Sequence, residues 1–114
     1  MEPTPPISFD DFLRMDLRVG TVRSAERNPK ARKPAYVLTI DFGPLGLRTS
    51  SAQLTERYTA EDLVGRQVVA VVNVLPKRVA GVTSEVLVLG AVGEGVGTTL
   101  LVPTHCVADG TRIQ

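Results

Sequence analysis

One histidine and one cysteine occur in the 114 residues, and they are neighbours, His105-Cys106. Adjacent side chains point to opposite faces of an extended segment, so the pair does not converge on a substrate. A Cys–His catalytic pair normally needs residues separated in sequence, and a zinc site made by the chain alone needs more ligands of these types. The adjacent carboxylates Asp10-Asp11 and Glu61-Asp62 fall where the first turns of helices are predicted. There they favour the positive end of the helix dipole, which accounts for them without acid–base catalysis. Gly93-Glu94-Gly95-Val96-Gly97-Thr98-Thr99 carries glycines but lacks the GK[ST] of a nucleotide cradle, and reads as a loop. No catalytic residue, metal or cofactor is expected. The chain reads as a binding protein and not an enzyme.

The remaining chemistry is electrostatic. The formal net charge is +1, but residues 1–16 carry −3, residues 17–90 carry +5 and residues 91–114 carry −1. Four cations fall in Arg27–Lys33, a loop stiffened by Pro29 and Pro34, and Lys77-Arg78 forms a second cluster. Such a basic centre suits a polyanion or an acidic partner, and equally a solvated surface. Arg32, Lys33, Arg48, Lys77 and Arg78 are candidates to ring a binding face, with Ser50, Ser51 and Ser84 as hydroxyl donors near the same strand ends. Three Phe, two Tyr and no Trp leave few stacking platforms for unpaired bases, so a folded RNA read by shape suits the chain better than a single strand.

These residues need elements to position them. Ser8 is an N-cap candidate for a short helix over 9–14, with Asp11 in the capping-box position and Ile7 and Phe12 at the staple positions. A strand begins at Leu17, and Gly20 within it marks a bulge or sharp bend. Tyr36, Leu38, Ile40 and Phe42 alternate with Val37, Thr39 and Asp41, which predicts a half-buried strand. Gly43-Pro44-Leu45-Gly46 makes a hairpin of 35–42 and 47–53. Thr59 and Asp62 form a capping box for a helix that Gly65 ends. Two runs, 67–74 and 85–89, are apolar at consecutive positions, with Pro76–Gly81 joining them. Further strands are expected at 98–102 and near 111–113. Helix, three strands, short helix, two strands and a tail is the order of an all-β, five-stranded OB barrel with terminal extensions. Scarce aromatics imply an aliphatic core.

A strand apolar on consecutive residues is buried on both faces. A homodimer in which a second copy covers the outer face is therefore expected, the alternative being that the N-terminal helix and glycine-rich tail fold back over it. The N-terminus lacks the pattern of a secretory signal and no stretch suits an integral membrane segment, so a cytoplasmic location is expected.

An ordered series of motifs resembles one family. Asp16-Leu17-Arg18-Val19-Gly20, Ala31–Tyr36, Ile40–Gly43, Ser50–Gln53, Leu63–Val68, Asn73–Arg78 and Ser84–Gly90 are similar to the tRNA-binding domain family, within it to the CsaA-type secretion chaperones. The likeness runs over residues 8–113. It implies an OB domain over 8–114 whose extensions build a homodimer, behind a flexible arm at 1–7. It implies two activities: binding of folded tRNA, and, for the CsaA type, holding unfolded preproteins or peptides for export. Lys33, Ser84 and the Asn73–Pro76 element take the family's site positions. Two departures occur, Ser84-Glu85-Val86-Leu87 in place of Ser-x-Gly-Met and Ser51-Ala52 in place of Ser-Gly. Glu85 thereby sets a negative charge where a phosphate would approach, which favours extended, basic or hydrophobic peptide segments over tRNA.

Overall fold

The computed structural model describes residues 2–95 and 97–114. Met1 of the expected arm and Val96 of the glycine-rich segment lie outside them. Helix α1 spans Phe9–Leu13, and the Ser8 side chain accepts from the Asp11 amide (3.2 Å), as an N-cap serine does. Strand β1 (Leu17–Arg27) is long enough to pair three ways. Its first half pairs antiparallel with β4 (Gln67–Val71), its second half with β2 (Tyr36–Asp41), and its start with β10 (Arg112–Ile113). β2 pairs with β3 (Leu47–Ala52) and β4 with β7 (Leu87–Val88), so the path β3-β2-β1-β4-β7 curls into a nearly closed OB barrel.

Side chains complete the closure. The Thr49 amide donates to Glu85 Oε1 (2.9 Å), the Glu85 amide to the Thr49 carbonyl (2.7 Å), and the Ser51 amide to Ser84 Oγ (3.0 Å). The Ser84 and Ser50 hydroxyls donate to the Val86 carbonyl, each at 3.3 Å. The edge of β3 is thereby satisfied without a regular ladder. Helix α2 (Ala60–Leu63) plugs one end. Its capping box is complete, with the Asp62 amide on Thr59 Oγ1 (3.1 Å) and the Thr59 amide on Asp62 Oδ2 (3.2 Å), and Leu63 is fully buried.

Alternation on β2 drives Tyr36, Leu38 and Ile40 inward, where they pack with Val22, Phe42, Val68, Ala70 and Val72. The largest fully buried side chains are Tyr36 and Phe42, so the core is not purely aliphatic. The Tyr36 hydroxyl satisfies itself on the Tyr58 carbonyl (2.8 Å). Gly20 faces this core. A Cβ there would stand 2.7 Å from Ile40 Cγ2 and the Phe42 ring, so glycine makes room for Phe42. The register break lies later, between Val22 and Ser24, and not at Gly20 as expected.

Val68 to Val71 are all buried, as the consecutive apolar run predicts. The cover for the outer layer, Leu17, Val19, Val69 and Val71, comes from the same chain. The Gly110 amide donates to the Val19 carbonyl (2.7 Å), the Val19 amide to the Thr111 carbonyl (2.9 Å) and Gln67 Nε2 to the Val107 carbonyl (2.7 Å). All four outer residues are buried within the single chain, with segment 107–113 running along the edge of β1 and reaching Gln67 of β4, which removes the argument that a second copy must cover them. The second apolar run differs: Val86 is buried but Leu87 is 54% exposed. Two further corrections concern connections. The joint at Pro76–Gly81 contains a hairpin of β5 (Lys77–Val79) and β6 (Val82–Ser84), and the glycine-rich segment forms a second hairpin of β8 (Gly90–Gly93) and β9 (Gly97–Leu100).

Candidate ligand-binding trough

Two adjoining hollows open between the loop after β1 and the β5–β6 hairpin, and both are lined by Ser51, Gln53 and Val79. The first, about 360 Å³, has an apolar floor of Val74, Leu75, Val79, Val86 and Leu87, with Lys77 and Ser84 on its walls. The second, about 520 Å³, is walled by Lys30, Arg32 and Lys33 over Ala31, Ala35 and Ala80. Together they form one trough, apolar at one end and cationic at the other. No carboxylate lines it. None of Lys30, Arg32, Lys33 and Lys77 is in an ion pair among the described residues.

Strand alternation sorts the predicted site residues. Lys77 and Ser84 are directly opposed on the hairpin and face the trough, as Val79 does. Arg78 lies between them on the other face, where its guanidinium donates to Thr83 Oγ1 (3.0 Å). Ser51 faces the trough, whereas its neighbour Ser50 points into the barrel and is fully buried. Arg48 shares the parity of Ser50 and its Nε reaches the Leu45 carbonyl (3.4 Å). Asn73 serves the fold. Its Oδ1 accepts the Asp16 amide (2.8 Å) and its Nδ2 donates to the Arg14 carbonyl (2.7 Å), which moors α1 to the loop after β4. Thus Arg32, Lys33, Ser51, Lys77 and Ser84 come together, and Arg48, Ser50, Asn73 and Arg78 do not.

Glu85 also departs from expectation. Its carboxylate accepts the Thr49 amide and belongs to the barrel seam, so it does not confront an incoming phosphate. Gln53 was not anticipated, although it lines both halves of the trough. It lies on the parity of Ser51, one step beyond the end of β3, and that spacing was the available signal. Leu75, 91% exposed, ends the trough on the side of the Asn73 mooring.

The family model described as "Putative tRNA binding domain" matches residues 17–112. The chain belongs to the tRNA-binding domain family. Within the family it is of the CsaA type. The crystal structure of the CsaA chaperone of Bacillus anthracis superposes with a TM-score of 0.92 at 55% identity, covering 96% of this chain and all of that one. The CsaA chaperone protein of Picrophilus torridus gives 0.89 at 42% identity over the same shares. A curated relative, the methionine–tRNA ligase of Porphyromonas gingivalis, is 38% identical over 108 residues, 95% of this chain. The chain spans 16% of that ligase's length, so the likeness is to one binding domain of an enzyme. Among the described residues no helix is long and apolar enough to cross a membrane.

Proposed function

We propose that the chain is a non-enzymatic homodimer that holds extended, apolar segments of unfolded preproteins for export from the cytoplasm. The observation that carries this reading is the trough itself, an apolar floor continuous with free cations, in a chain 55% identical to a CsaA chaperone. An extended segment lying along the trough would place alternate side chains on its floor, a mode of modest affinity suited to transient holding. The expectation of basic segments is dropped, because a cationic lining without a carboxylate repels them.

A second copy is supported by apolar surface that the fold leaves open. Ile7 is 71% and Phe9 90% exposed, Leu13 and Met15 are about half exposed, and Leu75 stands just past the residue that moors α1. Ile7, Phe9, Leu13 and Met15 lie in the N-terminal extension, and Leu75 lies in the loop after β4. Light scattering tests it: the expected mass is twice the 12.2 kDa of the chain, returning to one chain for Phe9→Ser. A single-chain mass for the native protein contradicts the dimer.

A second reading, folded tRNA, is favoured by the unpaired cations and by the engagement of Glu85 with β3. Titrating folded tRNA and an unfolded signal-bearing polypeptide at several salt concentrations separates the two. Preference for the polypeptide with weak salt dependence supports holding. A log–log slope of several units with preference for tRNA supports the second reading and overturns the first.

A further inference from the structure

Asn28 is one of two buried polar residues in the described chain, at 8% exposure, and no strand or helix accounts for its burial. It sits at the junction of the two walls of the trough. Its amide donates to the Ala35 carbonyl (2.9 Å), its carbonyl accepts the Ala31 amide (3.2 Å) and its Oδ1 accepts the Lys30 amide (3.0 Å), so it closes the basic loop upon itself. The remaining group, Nδ2, crosses to the hairpin and donates to the Ala80 carbonyl (3.2 Å).

Ala80 is an unusual residue to hold. It is the only non-glycine with positive φ among the described residues, at 46°, and with Gly81 at 84° it forms the two-residue turn of the β5–β6 hairpin. Both central residues of such a turn need positive φ, and alanine lacks the short polar side chain that usually eases that conformation. The stem of Lys30 passes over the same turn, 3.4 Å from where a Cβ of Gly81 would be. One short strand pair carries Lys77 and Val79 into the trough, and its tip is tied back to the basic loop at this point.

We infer that Asn28 is a positioning residue of the trough: by clamping the Ala80 turn to the basic loop it fixes the distance between Lys77 and the Lys30–Lys33 cations. This rests on the trough being the binding site. It assigns Asn28 no contact with the ligand. It therefore predicts a change of geometry without a change in the number of cations.

The test uses the full chain, with Asn28→Ala and Asn28→Ser. Serine still accepts the Lys30 amide in a short-range turn but is too short to reach Ala80, so it isolates the clamp and serves if the alanine variant fails to fold. Hydrogen exchange of the Val79–Thr83 amides is expected to speed up about fivefold in both variants, the effect of one lost hydrogen bond. Affinity for folded tRNA, used as a polyanion probe, is expected to fall by a similar factor with an unchanged salt slope, since no cation is removed. Lys77→Ala is expected to cost less affinity in the Asn28→Ser background than in the native chain. Unchanged exchange in Asn28→Ser, or full additivity with Lys77→Ala, overturns the proposal. Faster exchange with folded tRNA and an unfolded signal-bearing polypeptide both indifferent to Asn28→Ser and to Lys33→Ala supports the clamp and contradicts the trough as the site.

Discussion

The seam between the two terminal extensions and the trough treat positive charge in opposite ways. At the seam Arg18 and Arg112 have partners. Arg18 meets Asp16 at 2.6 Å and also donates to the Gly110 carbonyl, while Arg112 approaches the same carboxylate at 3.8 Å and donates to the Leu13 carbonyl. At the neighbouring barrel end Arg23 lies between Asp41 (3.0 Å) and Asp109 (3.7 Å). In the trough Lys30, Arg32 and Lys33 line one hollow and Lys77 the one adjoining it, and none of the four is in an ion pair among the described residues. Like charges gathered without counter-charge do not help the fold, and this is the ground for proposing that they meet a ligand from outside. The seam holds the chain together; on the proposed reading the trough receives a guest.

Breaking the trough should have the largest effect on binding. Replacing Lys33 and Lys77 together by alanine is expected to lower tRNA affinity roughly tenfold to a hundredfold and its log–log salt slope by about 2. Unfolding free energy, read from urea denaturation, should move by less than about 0.5 kcal/mol. A stability loss matching the binding loss would make these lysines part of the scaffold and dissolve the contrast.

Breaking the seam should do the reverse. Asp16→Ala leaves both Arg18 and Arg112 without their carboxylate, and is expected to cost about 2 kcal/mol in urea denaturation. Affinity of the folded variant for tRNA should stay near the native value, because Asp16 does not line the trough.

The smallest effect concerns acid. The Gly43 amide (2.8 Å), and after it the Arg23 guanidinium, hold the Asp41 carboxyl below its ordinary value. A carboxylate depressed in the folded chain contributes stability above its unfolded pKa and loses it as pH falls through the folded value. The contribution of Asp41 should therefore be present at neutral pH and fade below about pH 4. Urea midpoints for native and Asp41→Asn chains should converge on acidification. Midpoints separating further in acid would contradict the assignment.

The barrel was legible because its signals are local and periodic. Alternation over Tyr36–Phe42 and the Thr59–Asp62 capping box each depend on spacing within a few residues, and both appear as read. The site was legible only as a neighbourhood. A run of candidates such as Lys77-Arg78 or Ser50-Ser51 is divided by strand alternation, one member to each face, once the phase of the strand is known. The engagement of Asn73 and Glu85 within the fold was not legible for a different reason. Their partners, Asp16 and Arg14 for one and Thr49 for the other, lie 36 or more residues away, and no periodicity announces such a pairing.

The measurement that bears most directly on the account is an amide chemical-shift titration of the native chain with an unfolded signal-bearing polypeptide. The account predicts shifts concentrated at Arg32, Lys33, Ser51, Gln53, Lys77 and Ser84, with Arg18, Asp16 and Arg112 silent. Shifts centred on the paired arginines of the seam, with the lysines of the trough unmoved, would contradict it.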